Sequence, residues 1–285
     1  MLDTTLLFVF TLEDSMRPTI KELLELINAF APFSLAEDWD NSGLQVGKTD
    51  WPGARVLVAL DVTAQVMAEA TAWGADLVLT HHPLIFRPQR SIDFGSMPGS
   101  LIFIAAAQQI SIVSIHTNLD KAHGGLNDYF AQKIGLLSVS SFQPLALEKG
   151  INSPGIGRIG KFEQPLSLGA LAQKIKSSLG ISGLRFAGDS NLMVETAAVC
   201  TGSGASLVEE FLLSGADVFI TGDMKYHGAR DIEQAGLGLI DVGHFASEHM
   251  VVELLVQRLV SSAKAAGFEL EVKGFDGEMD PFIMV

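Results

Sequence analysis

Cysteine is almost absent from this chain. The single Cys200 excludes an intrachain disulfide and any set of thiolate ligands, and it suits a reducing compartment, so a cytoplasmic protein is expected. Basic residues are also scarce: 19 Lys and Arg stand against 33 Asp and Glu, a formal net charge of −14. That balance repels phosphate backbones and argues against broad nucleic-acid binding. A small anionic substrate stays open if a metal supplies local positive charge. No apolar run reaches membrane-spanning length. Leu6-Leu-Phe-Val-Phe10 is short, has no basic segment before it and is followed by Glu13 and Asp14, so neither a signal peptide nor an anchor is expected.

What the chain does have is apolar residues, 48% of 285, with only 18% charged. This is the composition of a globular protein with one large domain or two lobes. Residues 1–15 read as an N-terminal extension. From Pro18 to Ile27 apolar residues recur at 20, 23, 24 and 27, the spacing of a helix with one buried face. A turn-rich loop covers 36–47. Arg55 to Leu60 reads as a strand, Ala64 to Trp73 as a helix, and Asp76-Leu-Val-Leu-Thr80 as a strand ending in His81-His82-Pro83. Strand–helix–strand order signals a parallel sheet. A helix is expected over 101–109, a strand from Ile110 to His116, and a helix from Asp120 to Ile134.

The second half repeats the first. Gly215-Ala-Asp-Val-Phe-Ile-Thr-Gly222-Asp223 parallels Gly74-Ala-Asp-Leu-Val-Leu-Thr-His81-His82. Leu237 to Glu248 likewise parallels Ile110 to Asp120: each is a strand, then a His, then a carboxylate four residues on. The fold class expected is therefore α/β, with two similar α/β lobes of mixed or parallel sheets, 16–138 and 139–285, facing across a cleft. The join near 144–160 is rich in Gly, Pro and Ser.

The pairs His116/Asp120 and His244/Glu248 place a nitrogen and a carboxylate on one face of a helical turn. With His81 and His82 they give four imidazoles and two carboxylates at strand ends, where α/β sheets collect ligands. Singly, each has a plainer reading; Asp120, for one, can cap the next helix. Together, nitrogen and oxygen donors without thiolates suit Zn, Fe, Mn or Ni. Six donors exceed one tetrahedral ion and fit two divalent ions bridged by a carboxylate.

Five stretches carry a family resemblance: Glu37-Asp-Trp-Asp-Asn-Ser-Gly-Leu-Gln-Val-Gly47, Thr80-His-His-Pro83, His116-Thr-Asn-Leu-Asp120, Thr221-Gly-Asp-Met-Lys-Tyr-His227 and Gly243-His-Phe-Ala-Ser-Glu248. In this order, over about 16–285, the chain resembles the Nif-three-like family of dinuclear-metal, ring-forming proteins, often labelled GTP cyclohydrolase I type two homologues. The resemblance implies two similar lobes around a two-metal centre and a homohexameric ring. It implies His81, His82, Asp120, His244 and Glu248 as metal ligands, with Glu248 bridging and His116 close by. The chain departs from long members, which insert a domain in the middle, and its N-terminal extension has no counterpart.

Asp40 and Asn41, in a Gly-flanked loop, are read as touching substrate or supporting the site residues, or as turn chemistry. His116, Lys225 and His227 are the candidates for moving protons. Thr201-Gly-Ser-Gly204 is a weak anion-loop candidate. His123 and His249 read as helix-surface residues and Cys200 as core. The function expected is metal-dependent hydrolysis of a small phosphate- or nucleotide-like molecule; the competing expectation is a non-catalytic metal-binding, metal-delivery or regulatory protein. A DNA-threading ring is opposed by the net charge unless its lumen is locally basic.

Overall fold

The structure, a computed structural model, describes residues 16–144 and 154–283. The extension expected over 1–15, and part of the Gly/Pro/Ser-rich join, lie outside the described residues. In chain order the elements are α1 (Ile20–Phe30), β1 (Gly43–Val46), β2 (Arg55–Ala59), α2 (Ala64–Trp73), β3 (Leu77–Thr80), α3 (Gly99–Gln108), β4 (Ser111–Ser114), α4 (Thr117–Lys121) and α5 (Leu126–Ile134). There follow β5 (Leu137–Pro144), β6 (Gly155–Ser167), α6 (Leu168–Leu179), β7 (Arg185–Ala187), β8 (Met193–Ser203), α7 (Val208–Ser214), β9 (Val218–Gly222) and α8 (Tyr226–Gln234). The last are β10 (Gly238–Asp241), α9 (His244–Glu248), α10 (Val251–Ala266) and β11 (Glu271–Gly274).

The chain forms two compact units, one running to Leu119 and regaining Val251–Glu278, the other Asp120–Met250 with the residues after Glu278. This division differs from a boundary at 138/139. Position 138 falls inside β5, an edge strand of the second sheet, and the C-terminal segment returns to the first unit. The reason lies in α10 and β11. Val251, Leu254, Leu255 and Leu259 form the buried face of α10, and β11 pairs parallel with β2, Glu271 opposite Arg55.

The first sheet has the order β1-β4-β3-β2-β11 and the second β5-β6-β8-β9-β10-β7, so the fold is α/β with two mixed sheets. Each contains three adjacent parallel strands with an antiparallel edge strand on the last: β2-β3-β4 with β1, and β8-β9-β10 with β7. The internal repeat extends to single hydrogen bonds. Asp76 Oδ2 accepts from Arg55 N–H at 2.9 Å, and Asp217 Oδ2 accepts from Thr196 N–H at 2.8 Å, so each Gly-Ala-Asp is pinned to the neighbouring strand, β2 or β8.

Alternating strand residues serve opposite faces of each sheet. In the second unit Val199, Val218 and Ile220 pack with α5 and α6, while Ala198, Cys200 and Phe219 pack with α7 and α8. Burial on both faces explains why these strands read as continuous apolar runs. Two local expectations change. The helix expected over Asp120 to Ile134 is two helices, α4 and α5, separated at Gly124-Gly125, since adjacent glycines disfavour helix. The loop after α1 contains a strand, β1, which pairs with β4.

Candidate metal centre

In the first unit β3 and β4 run parallel with Thr80 opposite Ser114. The residues just beyond them therefore emerge side by side at the carboxyl edge of the sheet. Ile115 N–H donates to Thr80 O at 2.9 Å, and Thr80 Oγ1 donates to His82 O at 2.8 Å, which fixes the turn. The rings of His81, His82 and His116 lie with centroids 5.1 to 5.5 Å apart. One nitrogen from each falls within 4.8 Å of the others, a group able to hold a metal ion.

The orientation of each ring is set from behind. His81 Nδ1 lies 2.8 Å from Ile115 O, His82 Nδ1 2.9 Å from Asp61 Oδ1, and His116 Nδ1 2.8 Å from Asp40 Oδ1. A carbonyl or carboxylate oxygen can only accept, so each Nδ1 carries the proton and the neutral ring keeps its lone pair on Nε2. This is how metal-binding imidazoles are usually held. The Asp61 turn is braced in its own right: Leu60 N–H and Asp61 N–H donate to the Glu278 carboxylate at 2.8 and 2.9 Å.

Asp40 has a side chain with 0% exposure. Its Oδ2 accepts from Thr117 Oγ1 at 2.6 Å and from Thr117 N–H at 3.1 Å. Burial pushes the Asp40 carboxyl up, but the hydrogen bonds from His116 and Thr117 outweigh it and hold it well below the usual carboxylate range. Asp40 thus supports His116. Asn41 is exposed; its Nδ2 donates to Ile85 O at 2.6 Å and to Gln45 Oε1 at 3.0 Å.

In the second unit β10 ends at Asp241, and α9 begins at His244 after Gly243. The i,i+4 spacing brings His244 Nε2 to 2.9 Å from Glu248 Oε2, while His244 Nδ1 lies 2.8 Å from Asp223 Oδ2. A neutral imidazole cannot donate at both nitrogens, so a cation, proton or metal, belongs between Nε2 and the Glu248 carboxylate. Glu248 is 3% exposed, and a buried carboxylate requires such compensation. Room for it depends on Gly202, whose φ is +64°; a Cβ there would sit 2.1 Å from Glu248 Oε1. Gly202 N–H donates to Ser247 Oγ at 2.9 Å, tying the end of β8 to α9.

Asp120 lies half-buried on α4 at the start of this unit. Asn127, fully buried, donates from Nδ2 to Asp120 O at 3.2 Å and accepts at Oδ1 from Thr201 N–H at 2.9 Å. The turn beyond Asp120 is gripped by Arg158, which donates to Ala122 O and forms two bonds to Asp128, at 2.6 and 2.8 Å. Burial pushes the Cys200 thiol up, and the charges of Asp120 and Glu248 push it further. Lys225 and His227 are exposed at the start of α8, with the rings of Tyr226 and His227 5.4 Å apart. His123 is exposed, and His249 stacks on Phe245 at 4.6 Å.

The profile of the Duf34/NIF3 (NGG1p interacting factor 3) family matches residues 18–281. The chain belongs to this family. A Clostridium acetobutylicum protein named GTP cyclohydrolase 1 type 2 homolog is 33% identical to this NIF3-family chain over 264 residues, 92% of this chain and 97% of its own. A Helicobacter pylori protein named GTP cyclohydrolase 1 type 2 is 37% identical over 240 residues, 83% and 91% of the two chains. Among solved structures, a Bacillus cereus protein related to NIF3 has a TM-score of 0.89 at 25% identity, and a Staphylococcus aureus hypothetical protein one of 0.88 at 30% identity; each comparison covers 95% of this chain and 100% of the other.

The supporting roles of Asp61, Asp223, Asn127 and Glu278 went unnoticed in the sequence, and Gly202 was read only as part of a weak anion loop. For Asp223 a signal existed: in the aligned repeat it occupies the place of His82, so a polar residue at that strand end was marked in both halves. Glu278, distant in sequence from Asp61, gave none.

Proposed function

We propose that this NIF3-family protein is a metal-dependent hydrolase of a small phosphate- or nucleotide-like substrate, holding two divalent ions through His81, His82, Asp120, His244 and Glu248, with Glu248 bridging. The observation that carries the reading is the common anchoring of four imidazoles: His81, His82, His116 and His244 each have Nδ1 tied to an oxygen acceptor at 2.8 to 2.9 Å, which leaves Nε2 as the donor. Nitrogen and oxygen donors suit Zn, Fe, Mn or Ni. Bound ions there would lower the pKa of a coordinated water and polarise a substrate oxygen.

His116, held by Asp40, accepts and returns a proton at Nε2. Lys225 and His227, exposed and polar, serve as further proton or anion contacts, and the Asp40–Asn41 loop orients the substrate directly or through His116. The relatives' names, which contain GTP cyclohydrolase, support a nucleotide-like substrate. The exposed apolar residues Ile92, Phe94, Met97 and Phe103 support assembly of the chain into a homohexameric ring. No helix among the described residues is long and apolar enough to cross a membrane; with one cysteine, this supports a cytoplasmic setting.

A non-catalytic metal-binding role is favoured by the burial of His81 and Glu248, because closed sites are structural. Turnover separates the two. Protein loaded with Zn, Mn, Fe or Ni in turn is assayed against a panel of phosphoesters and nucleotides. Turnover that disappears with Glu248→Ala supports the hydrolase; no turnover with any fully occupied metal favours the non-catalytic role.

A further inference from the structure

Two large aromatic side chains beside His116 are left facing solvent. Trp39 is 60% exposed and Phe86 47% exposed. Their ring centroids are 5.9 Å apart with planes inclined at 66°, and both rings meet His116 edge-to-face, at 6.0 and 6.3 Å. The three rings form a corner. The loops that carry it are locked together: Asn41 Nδ2 donates to Ile85 O at 2.6 Å, and Ile85 N–H donates to Gln45 Oε1 at 3.3 Å. On the other side of Trp39, Glu37 N–H donates to Thr117 Oγ1 at 2.9 Å. The backbone that carries these rings is therefore tied down before anything binds, which lowers the ordering cost of their use.

We propose that Trp39 and Phe86 form the subsite for the planar heteroaromatic ring of the ligand, a purine or similar heterocycle. This rests on the hydrolase reading above and names the part of the substrate that the metal ligands do not address. A planar ring lying on one aromatic face meets the other edge-on, the arrangement aromatic groups prefer. Stacking of this kind accepts any flat base and adds affinity independent of the phosphates. The position beside His116 selects this occupant, since a ring seated there keeps its attached polar arm next to the imidazole cluster.

The test compares guanosine triphosphate with inorganic tripolyphosphate, which carries the anionic arm and no ring, by calorimetry on metal-loaded full-length protein. Guanosine triphosphate is expected to bind more tightly. Trp39→Ala and Phe86→Ala are each expected to weaken it about tenfold or more, with tripolyphosphate binding and metal content unchanged. Equal affinity of wild type for the two probes overturns the subsite, as does a Trp39→Ala protein that binds guanosine triphosphate normally. A variant that changes only the sedimentation coefficient assigns the corner to a second copy and also overturns it. Metal content of the same samples reports on the metal reading separately. Should wild type hold no ions, guanosine alone decides the subsite: weakening by Trp39→Ala supports it and no weakening contradicts it.

Discussion

His82 donates its Nδ1 proton to Asp61 across 2.9 Å, and Asp61 is half-exposed on a turn whose amides are held by Glu278. The carboxylate acts on the ring and contributes little to the core. Asp61→Ala is expected to leave the fold intact by circular dichroism and to lower metal affinity about 10- to 100-fold in competition with a chelator. Unchanged affinity would separate His82 from the metal.

Asp40 supplies a pH signature. Its native carboxyl is held below the ordinary range, so the unfolded chain binds its proton first as pH falls. The stability this gives is present above the unfolded value of about 3.9 and fades as pH drops towards the lower native value. In metal-free protein, the melting temperature of Asp40→Asn is expected to fall less steeply than that of wild type below about pH 4. Parallel acid limbs would contradict the account of Asp40.

Gly202 joins local strain to the site. An alanine there would adopt a left-handed backbone and press its Cβ against Glu248 Oε1. The backbone alone costs about 1–2 kcal/mol. Gly202→Ala is expected to lose that much stability in urea and, with the carboxylate displaced, to bind metal more weakly; Gly215→Ala, at a left-handed helix end with open space around it, is expected to lose stability without losing metal.

Much of this was legible in the chain. The runs around Leu57, Leu79 and Ile220 alternate between two buried faces, so these central strands showed directly, whereas β1, β5, β6, β7 and β11 and the strand order within each sheet did not. The duplicated Gly-Ala-Asp segments at 74–76 and 215–217 announced a repeat, and each Asp makes the same bond to a backbone N–H of the neighbouring strand. His244 and Glu248 were readable together because an i,i+4 relation is local. Asp61 behind His82, and Glu278 behind Asp61, were not, because those contacts link positions 21 and 217 residues apart and leave no periodic trace. The return of α10 to the first unit was hidden for the same reason: an amphipathic helix states which face it buries and not against which sheet.

Cys200 offers an internal check on burial. It packs with Phe211 and Phe219 in the second unit, and burial keeps its thiol protonated. Native protein is expected to resist iodoacetamide at pH 8 and to label fully in guanidinium. Rapid native labelling would contradict the packing around β8.

The central claim is that the imidazoles and carboxylates of this chain bind a pair of ions. Elemental analysis of wild type and Glu248→Ala, purified side by side without added metal or chelator, tests it most directly. The account predicts about two ions per chain in wild type and the loss of at least one in the variant. Wild type that purifies with no bound ions, or a variant that retains both, would contradict it.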